Sequence, residues 1–137
     1  MRALRTDKMT YAALEATLRE HAAGRADKTV PVARMMTMPI QEIDVRARAI
    51  VNRVSGLGAE VIDGSSTIGG GSAPGSALPT RLIALTHATL SATALEERLR
   101  QSQPPVIARI DQDRVVLDLR TVPEDQDGVL RQILERL

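Results

Sequence analysis

Residues 106–119 read VIARIDQDRVVLDL and contain two β-rich runs, which decide how the rest of the sequence is interpreted. The runs at 106–110 and 115–119 consist largely of Val, Ile and Leu, residue types that suit a half-buried strand. Four polar residues, 111–114, separate them, a length typical of the connection in a β-hairpin. The pattern therefore predicts two adjacent antiparallel strands near the end of the chain.

Two further strands are predicted upstream of this hairpin, at residues 59–63 and 81–86. Between them, residues 64–79 are rich in Ser, Gly and Pro and show hardly any hydrophobic periodicity. We expect a long loop there. Because long loops are unusual inside compact domains, this segment is a candidate for a functional role.

Apolar residues recur at steps of three and four in most of the remaining sequence, which is typical of amphipathic helices. The clearest pattern starts at Ile40 and ends near Leu57, where glycines stop it, and residues 28–30 are expected to be a connector. The predicted helices cover residues 10–22, 31–36, 40–57, 91–100 and 125–137. Together these elements predict one α+β domain over residues 1–137, with a small antiparallel sheet of about four strands covered by helices.

The composition argues against several classes of function. Among 137 residues the formal net charge is +1, so no strong overall field attracts nucleic acid or a membrane surface. Aromatic residues make up 1% of the chain, which removes the stacking platform of most single-stranded RNA readers. There is no cysteine and no long apolar run, and we expect a cytoplasmic protein that does not enter a membrane.

Residues that often carry catalysis are few. His21 and His87 have no nearby partners at metal-ligand spacing and are expected to be surface or capping residues. Ser65, Ser66 and Ser72 lack the strand-to-helix context of a nucleophile elbow. The sequence therefore gives little support to a hydrolase or a metalloenzyme.

Two motifs point instead to anions. The glycine triplet at residues 69–71 resembles a phosphate-binding loop, but it lacks the following Lys-Ser or Lys-Thr, and a structural loop is the stronger interpretation. Arg2 and Arg5 are three residues apart, so on a helix their guanidinium groups would be neighbours. Two such groups suit a phosphate-like or carboxylate anion, although a solvated chain end gives the same pattern.

Several strings resemble the family of bacterial selenocysteine synthases, the L-seryl-tRNA(Sec) selenium transferases. The opening string RALRTDKMT at residues 2–10 is specific to this family, and the other matching strings follow in the same order and spacing. They are found at residues 12–19, 31–37, 66–71, 104–110 and 116–120. The resemblance covers essentially the whole chain.

The resemblance implies the C-terminal small domain of a fold-type-I enzyme that uses pyridoxal 5'-phosphate (PLP). Such an enzyme converts seryl-tRNA(Sec) to selenocysteinyl-tRNA(Sec), with selenophosphate as the selenium donor and an aminoacrylyl intermediate. The PLP domain, its lysine and the N-terminal tRNA-binding region are expected to lie outside this chain, since neither Lys8 nor Lys28 matches that lysine. No catalytic residue and no bound cofactor or metal is expected here, and the chain alone should be inactive.

The resemblance also assigns roles to particular arginines. Arg2 and Arg5 match family arginines that bind the selenium-donor anion. Arg109 either reaches a substrate or is buried in a salt bridge, and it follows Ala108 where the family usually has glycine. The parent enzyme is expected to be a homo-oligomer, a ring of dimers.

Two alternatives remain open from the sequence. The first is a related PLP lyase or transferase that acts on a small amino acid or sugar acid. The second is a free-standing, non-catalytic domain that pairs with another subunit.

Overall fold

The computed structural model describes residues 6–68 and 77–137. The chain divides into two compact units, Met1–Met38 and Pro39–Leu137. In the described ranges, no helix has the length and apolarity needed to cross a membrane.

The first unit consists of three helices, α1 (Lys8–Ala22), α2 (Ala26–Thr29) and α3 (Pro31–Thr37). The Asp7 carboxylate caps α1 by accepting hydrogen bonds from the Thr10 amide and hydroxyl, at 2.9 and 3.0 Å. These hydrogen bonds favour the charged carboxylate and lower the pKa of Asp7. The cap explains why α1 begins at residue 8, two residues before the predicted start.

The short helix α2 replaces part of the connector that the sequence predicted. Glu20 of α1 explains it, because its carboxylate accepts hydrogen bonds from the Arg25 guanidinium at 2.7 and 3.1 Å and from the Thr29 hydroxyl at 2.8 Å. These contacts hold the start and the end of the single helical turn against α1. The hydrogen bonds from Arg25 and Thr29 also lower the pKa of Glu20.

Helix α1 has no buried residue. Its large apolar side chains are exposed, including Tyr11 at 60%, Leu14 at 53% and Leu18 at 57% of their maximal surface. The amphipathic pattern that predicted this helix is therefore correct about its conformation, and within the described residues its large apolar side chains are exposed.

The second unit contains a four-stranded antiparallel sheet, which confirms the predicted fold class. Its strands are β1 (Gly58–Thr67), β2 (Ala77–Thr86), β3 (Arg109–Asp111) and β4 (Arg114–Asp118). Their order across the sheet is β1-β2-β4-β3, and every neighbouring pair is antiparallel.

The hairpin predicted at residues 106–119 is confirmed in the β3–β4 pair. Gln112 and Asp113 form its turn with φ of 48° and 58°, the left-handed conformation of a tight two-residue hairpin turn. Asp111 pairs with Arg114 directly across the turn. The strand β3 is shorter than predicted, because it starts at Arg109 and not at residue 106.

A long loop was predicted at residues 64–79, and both of its predicted bounds are wrong. Strand β1 continues to Thr67 and β2 already begins at Ala77, with Gly64 opposite Thr80 and Ser66 opposite Leu78. Gly64 is required there, because a Cβ on it would collide with the Leu82 side chain. The β-strand pattern was not recognisable in the sequence, because small and polar residues line this end of the sheet.

Three helices pack in the second unit: α4 (Ile40–Val51), α5 (Ala92–Arg100) and α6 (Asp127–Leu134). Helix α4 lies against β1 and β2, and α5 lies against β3 and β4. Both α4 and α6 end earlier than predicted, and two 3₁₀ turns, Leu119–Thr121 and Glu124–Gln126, precede α6. The buried core includes Ile43, Ile50, Ile83, Leu85, Leu95, Leu99, Val115, Leu119 and Leu134.

Arg46 of α4 is buried, although its side chain is charged. Its guanidinium forms two hydrogen bonds with the Asp127 carboxylate, at 2.8 and 2.7 Å. It also donates to the carbonyl oxygens of Leu119 at 3.2 Å and Val122 at 2.7 Å. The side-chain hydrogen bonds with Asp127 raise the pKa of Arg46, and the contacts tie α4 to the end of the chain.

We expect Asp127→Asn to lower the free energy of unfolding by about 3 kcal/mol, because it removes the carboxylate that pairs with the buried Arg46 guanidinium. Urea denaturation followed by circular dichroism measures this change. The matched control is Arg48→Gln, which breaks the exposed pair with Asp44 on the same helix and should change the midpoint little. Equal losses in the two variants would contradict the role assigned to Arg46.

Candidate functional site

The anion site predicted at Arg2 and Arg5 lies outside the described residues, and so do the glycine triplet at residues 69–71 and Ser72. The interpretation of these residues therefore stays a prediction.

The two histidines are a capping residue and a surface residue. The Nδ1 atom of His87 accepts hydrogen bonds from the amides of Thr89 and Leu90, at 3.1 and 3.2 Å, so His87 caps the turn after β2 as predicted. His21 is exposed near the end of α1. Among residues 6–68 and 77–137, no group of three or more His, Cys, Asp or Glu side chains could hold a metal ion.

Both lysines of the chain lie in the first unit. Lys8 is the first residue of α1 and Lys28 lies in α2, and both are exposed. Neither is among the residues that line the cavities of about 310, 530 and 250 Å³ in the described part of the chain.

A buried polar network joins the ends of β1, β2 and β4. The Ser66 hydroxyl donates to Oδ2 of Asp118 at 2.5 Å, and the Thr80 hydroxyl donates to Oδ1 of Asp118 at 3.1 Å. Arg120 donates from Nε to the Ser66 oxygen at 3.0 Å and from Nη2 to the Pro79 carbonyl at 2.8 Å. We call Ser66, Thr80, Asp118 and Arg120 the polar network.

The strand register explains how these side chains meet. Directly opposed residues of an antiparallel pair project to the same face of the sheet. Gly64 opposes Thr80, and Leu82 opposes Asp118, so the alternating positions Ser66, Thr80 and Asp118 share one face. The 3₁₀ turn after β4 then brings Arg120 back to this face, because the Asp118 carboxylate also accepts from the Arg120 amide at 3.0 Å.

The polar network borders a cavity of about 250 Å³. The Arg109 side chain lines this cavity from β3 and donates from Nη2 to the Ser65 carbonyl at 3.1 Å, which ties β3 to β1 across the sheet. The complete lining consists of Ser66, Thr67, Ile107, Ala108, Arg109, Val116, Asp118 and Thr121. We call this the Arg109 cavity.

A second cavity, of about 310 Å³, lies beside the first one and is more apolar. The two share Ile107, Asp118 and Thr121. Its remaining lining comes from Pro104, Pro105, Val106, Leu117, Val122, Gln126, Val129, Leu130 and Ile133. The two cavities together make a cleft with a cationic end and an apolar end.

The structure excludes one of the two interpretations of Arg109, the buried salt bridge. This residue is exposed and forms no ion pair with any described residue, so it is not a buried salt-bridge residue. Ala108 is accommodated in the cavity wall. Sequence reasoning missed Asp118 and Arg120, although two charged residues at the end of a strongly apolar strand are a usable signal of a polar cluster.

Comparison with known proteins gives the family. The profile of the L-seryl-tRNA selenium transferase family matches residues 1–123, which include every residue of the polar network and of the Arg109 cavity. This chain belongs to that family.

Relatives from several bacteria carry the name L-seryl-tRNA(Sec) selenium transferase. The Wolinella succinogenes protein is 39% identical over 137 residues, which is all of this chain and 30% of that protein. The Nitratidesulfovibrio vulgaris protein is 44% identical over 129 residues, 90% of this chain and 28% of that protein. The Geobacter sulfurreducens protein is 39% identical over 143 residues, all of this chain and 31% of that protein.

This member of the family spans about 30% of the length of the curated relatives that it matches.

We expect Ser66→Ala to lower the free energy of unfolding by about 2 kcal/mol, because it leaves an Asp118 oxygen and the Arg120 Nε without their partner. Urea denaturation measures the loss. Ser65→Ala is the matched control, since Ser65 is the exposed neighbour on the same strand and contributes its carbonyl, which the change keeps. If both variants lose the same stability, the polar network does not stabilise this end of the sheet.

Proposed function

We propose that this chain acts as the C-terminal small domain of a PLP-dependent L-seryl-tRNA(Sec) selenium transferase. The enzyme would convert seryl-tRNA(Sec) to selenocysteinyl-tRNA(Sec) with selenophosphate, in the cytoplasm and as a homo-oligomer. One observation carries the proposal: the family profile matches residues 1–123, and named relatives align over the whole chain.

The side chains that are present indicate which roles this chain would have and which roles the rest of the enzyme would have. Because Lys8 and Lys28 are exposed and line no described cavity, the PLP lysine would come from a part of the enzyme outside this chain. PLP supplies an electron sink for the chemistry at the seryl group. This chain would contribute cationic and polar side chains that bind and orient anionic groups, and alone it would not turn over substrate.

Arg2 and Arg5 are the residues that we propose for the selenium-donor anion. Two arginines three residues apart in the sequence offer guanidinium forks of donors, which match the oxygens of a phosphate-type group better than lysine does. Their assignment rests on the opening string of the sequence and on the match to the family.

A domain replacement tests the function directly. In the Wolinella succinogenes enzyme, the aligned 30% of the protein is replaced by this chain, and formation of selenocysteinyl-tRNA(Sec) from seryl-tRNA(Sec) and selenophosphate is measured. We expect the hybrid to form product, whereas this chain alone should form none. A hybrid that is folded and binds PLP but forms no product would contradict the proposed function.

The same hybrid tests the two arginines. We expect Arg2→Gln combined with Arg5→Gln to raise the KM for selenophosphate at least about tenfold, because each lost charge-assisted hydrogen bond costs more than 1 kcal/mol. The KM for seryl-tRNA(Sec) should change less. Arg53→Gln, at an exposed position after α4, is the matched control. An unchanged KM for selenophosphate in the double variant would remove Arg2 and Arg5 from the proposed anion site.

A further inference from the structure

Arg109 differs from most of the arginines in the described part of the chain, because it has no anionic partner. Its one hydrogen-bond acceptor in the described ranges is the neutral carbonyl of Ser65. By contrast, eight arginines form ion pairs with carboxylates: Arg19, Arg25, Arg46, Arg48, Arg81, Arg100, Arg114 and Arg131. A guanidinium group without a counter-charge at a cavity is a candidate ligand-binding group.

The carboxylate in the cavity wall does not supply that counter-charge. Asp118 already accepts hydrogen bonds from the hydroxyls of Ser66 and Thr80 and from the Arg120 amide. The Arg120 guanidinium is buried beside it and is joined to it through Ser66. Arg109 therefore has no carboxylate partner among the described residues, and its positive charge lies at the cavity.

The unused donors of Arg109 suit an oxyanion. Its Nη2 atom binds the Ser65 carbonyl, which leaves donors on Nε and Nη1 without a partner among the described residues. The exposed Thr67 side chain lines the same cavity and adds a hydroxyl, while the Thr121 hydroxyl already donates to the Asp118 carbonyl at 3.1 Å. The guanidinium and hydroxyl donors on the wall of the Arg109 cavity match a group with several oxygens that point in different directions.

The size of the cavity agrees with this class of ligand. A volume of about 250 Å³ equals that of several water molecules at roughly 30 Å³ each, so a phosphate group fits together with part of the group that carries it. The adjoining apolar cavity leaves room for the less polar remainder of such a molecule.

We propose that the Arg109 cavity binds a phosphate-type oxyanion through the Arg109 guanidinium and the Thr67 hydroxyl. This site is separate in the sequence from Arg2 and Arg5, and the proposed transferase function does not specify the chemical class of ligand that Arg109 binds. The oxyanion has two possible sources with the same chemistry, a free phosphate compound or a phosphodiester of an RNA chain.

Binding is measured by NMR on the isolated chain, without any selenium transfer. Amide signals of Thr67, Ala108 and Thr121 and the Nε–H signal of Arg109 are followed during addition of inorganic phosphate, with sodium chloride at matched ionic strength as the reference. We expect saturable shifts with phosphate that chloride does not produce. In Arg109→Gln the affinity should fall at least about tenfold, and Arg109→Lys should recover part of it because lysine keeps the charge but not the fork.

Arg98→Gln is the matched control, since Arg98 is exposed on α5 and lines no described cavity. It should bind phosphate as the unchanged chain does. Shifts that do not saturate, that chloride reproduces, or that survive in a folded Arg109→Gln would overturn the proposal. If Arg109→Gln does not fold, the Arg109 Nε–H signal of the unchanged chain decides, because phosphate must move it for the proposal to stand.

A second titration identifies the source of the oxyanion. A short oligoribonucleotide that displaces phosphate at much lower concentration assigns the cavity to an RNA phosphodiester. Phosphate binding that the oligoribonucleotide does not affect assigns it to a free phosphate compound. Since neither measurement uses PLP or selenophosphate, failure of this proposal is distinguishable from failure of the proposed transferase function.

Discussion

The Asp118 carboxylate is the constraint on which the structure of the sheet beside the Arg109 cavity depends. It accepts hydrogen bonds from Ser66 on β1, Thr80 on β2 and the Arg120 amide in the turn after β4. One side chain therefore fixes the ends of three segments. Because a partly buried carboxylate is costly unless its oxygens have partners, the position of each segment is determined together with the others, and the adjoining cavity is held in shape.

The sequence predicted the parts of the fold that depend on hydrophobic periodicity. The hairpin, the long helices and the α+β class are visible because apolar residues recur with the period of the element that they form. The predicted boundaries failed where polar contacts decide the structure. Glu20 holds the turn of α2, and small or polar residues around Gly64 and Ser66 continue β1 into what looked like a loop.

The candidate site was less predictable than the fold, for the same reason. Its members Ser66, Asp118 and Arg120 are distant in sequence and meet only through the register of β1, β2 and β4. Arg109 was recognised as a candidate, but no local pattern could show whether it has an ionic partner. Family resemblance, by contrast, was carried by contiguous strings and needed no knowledge of contacts, so it was available from the sequence alone.

The distribution of aromatic residues determines what optical spectroscopy can detect in this protein. Tyr11 on α1 is the single aromatic side chain of the Phe, Tyr and Trp types, and it is 60% exposed. The intrinsic fluorescence of the chain therefore originates in the first unit. The same property makes Tyr11 a built-in probe, since any protein surface that covers α1 changes the signal of one identified residue.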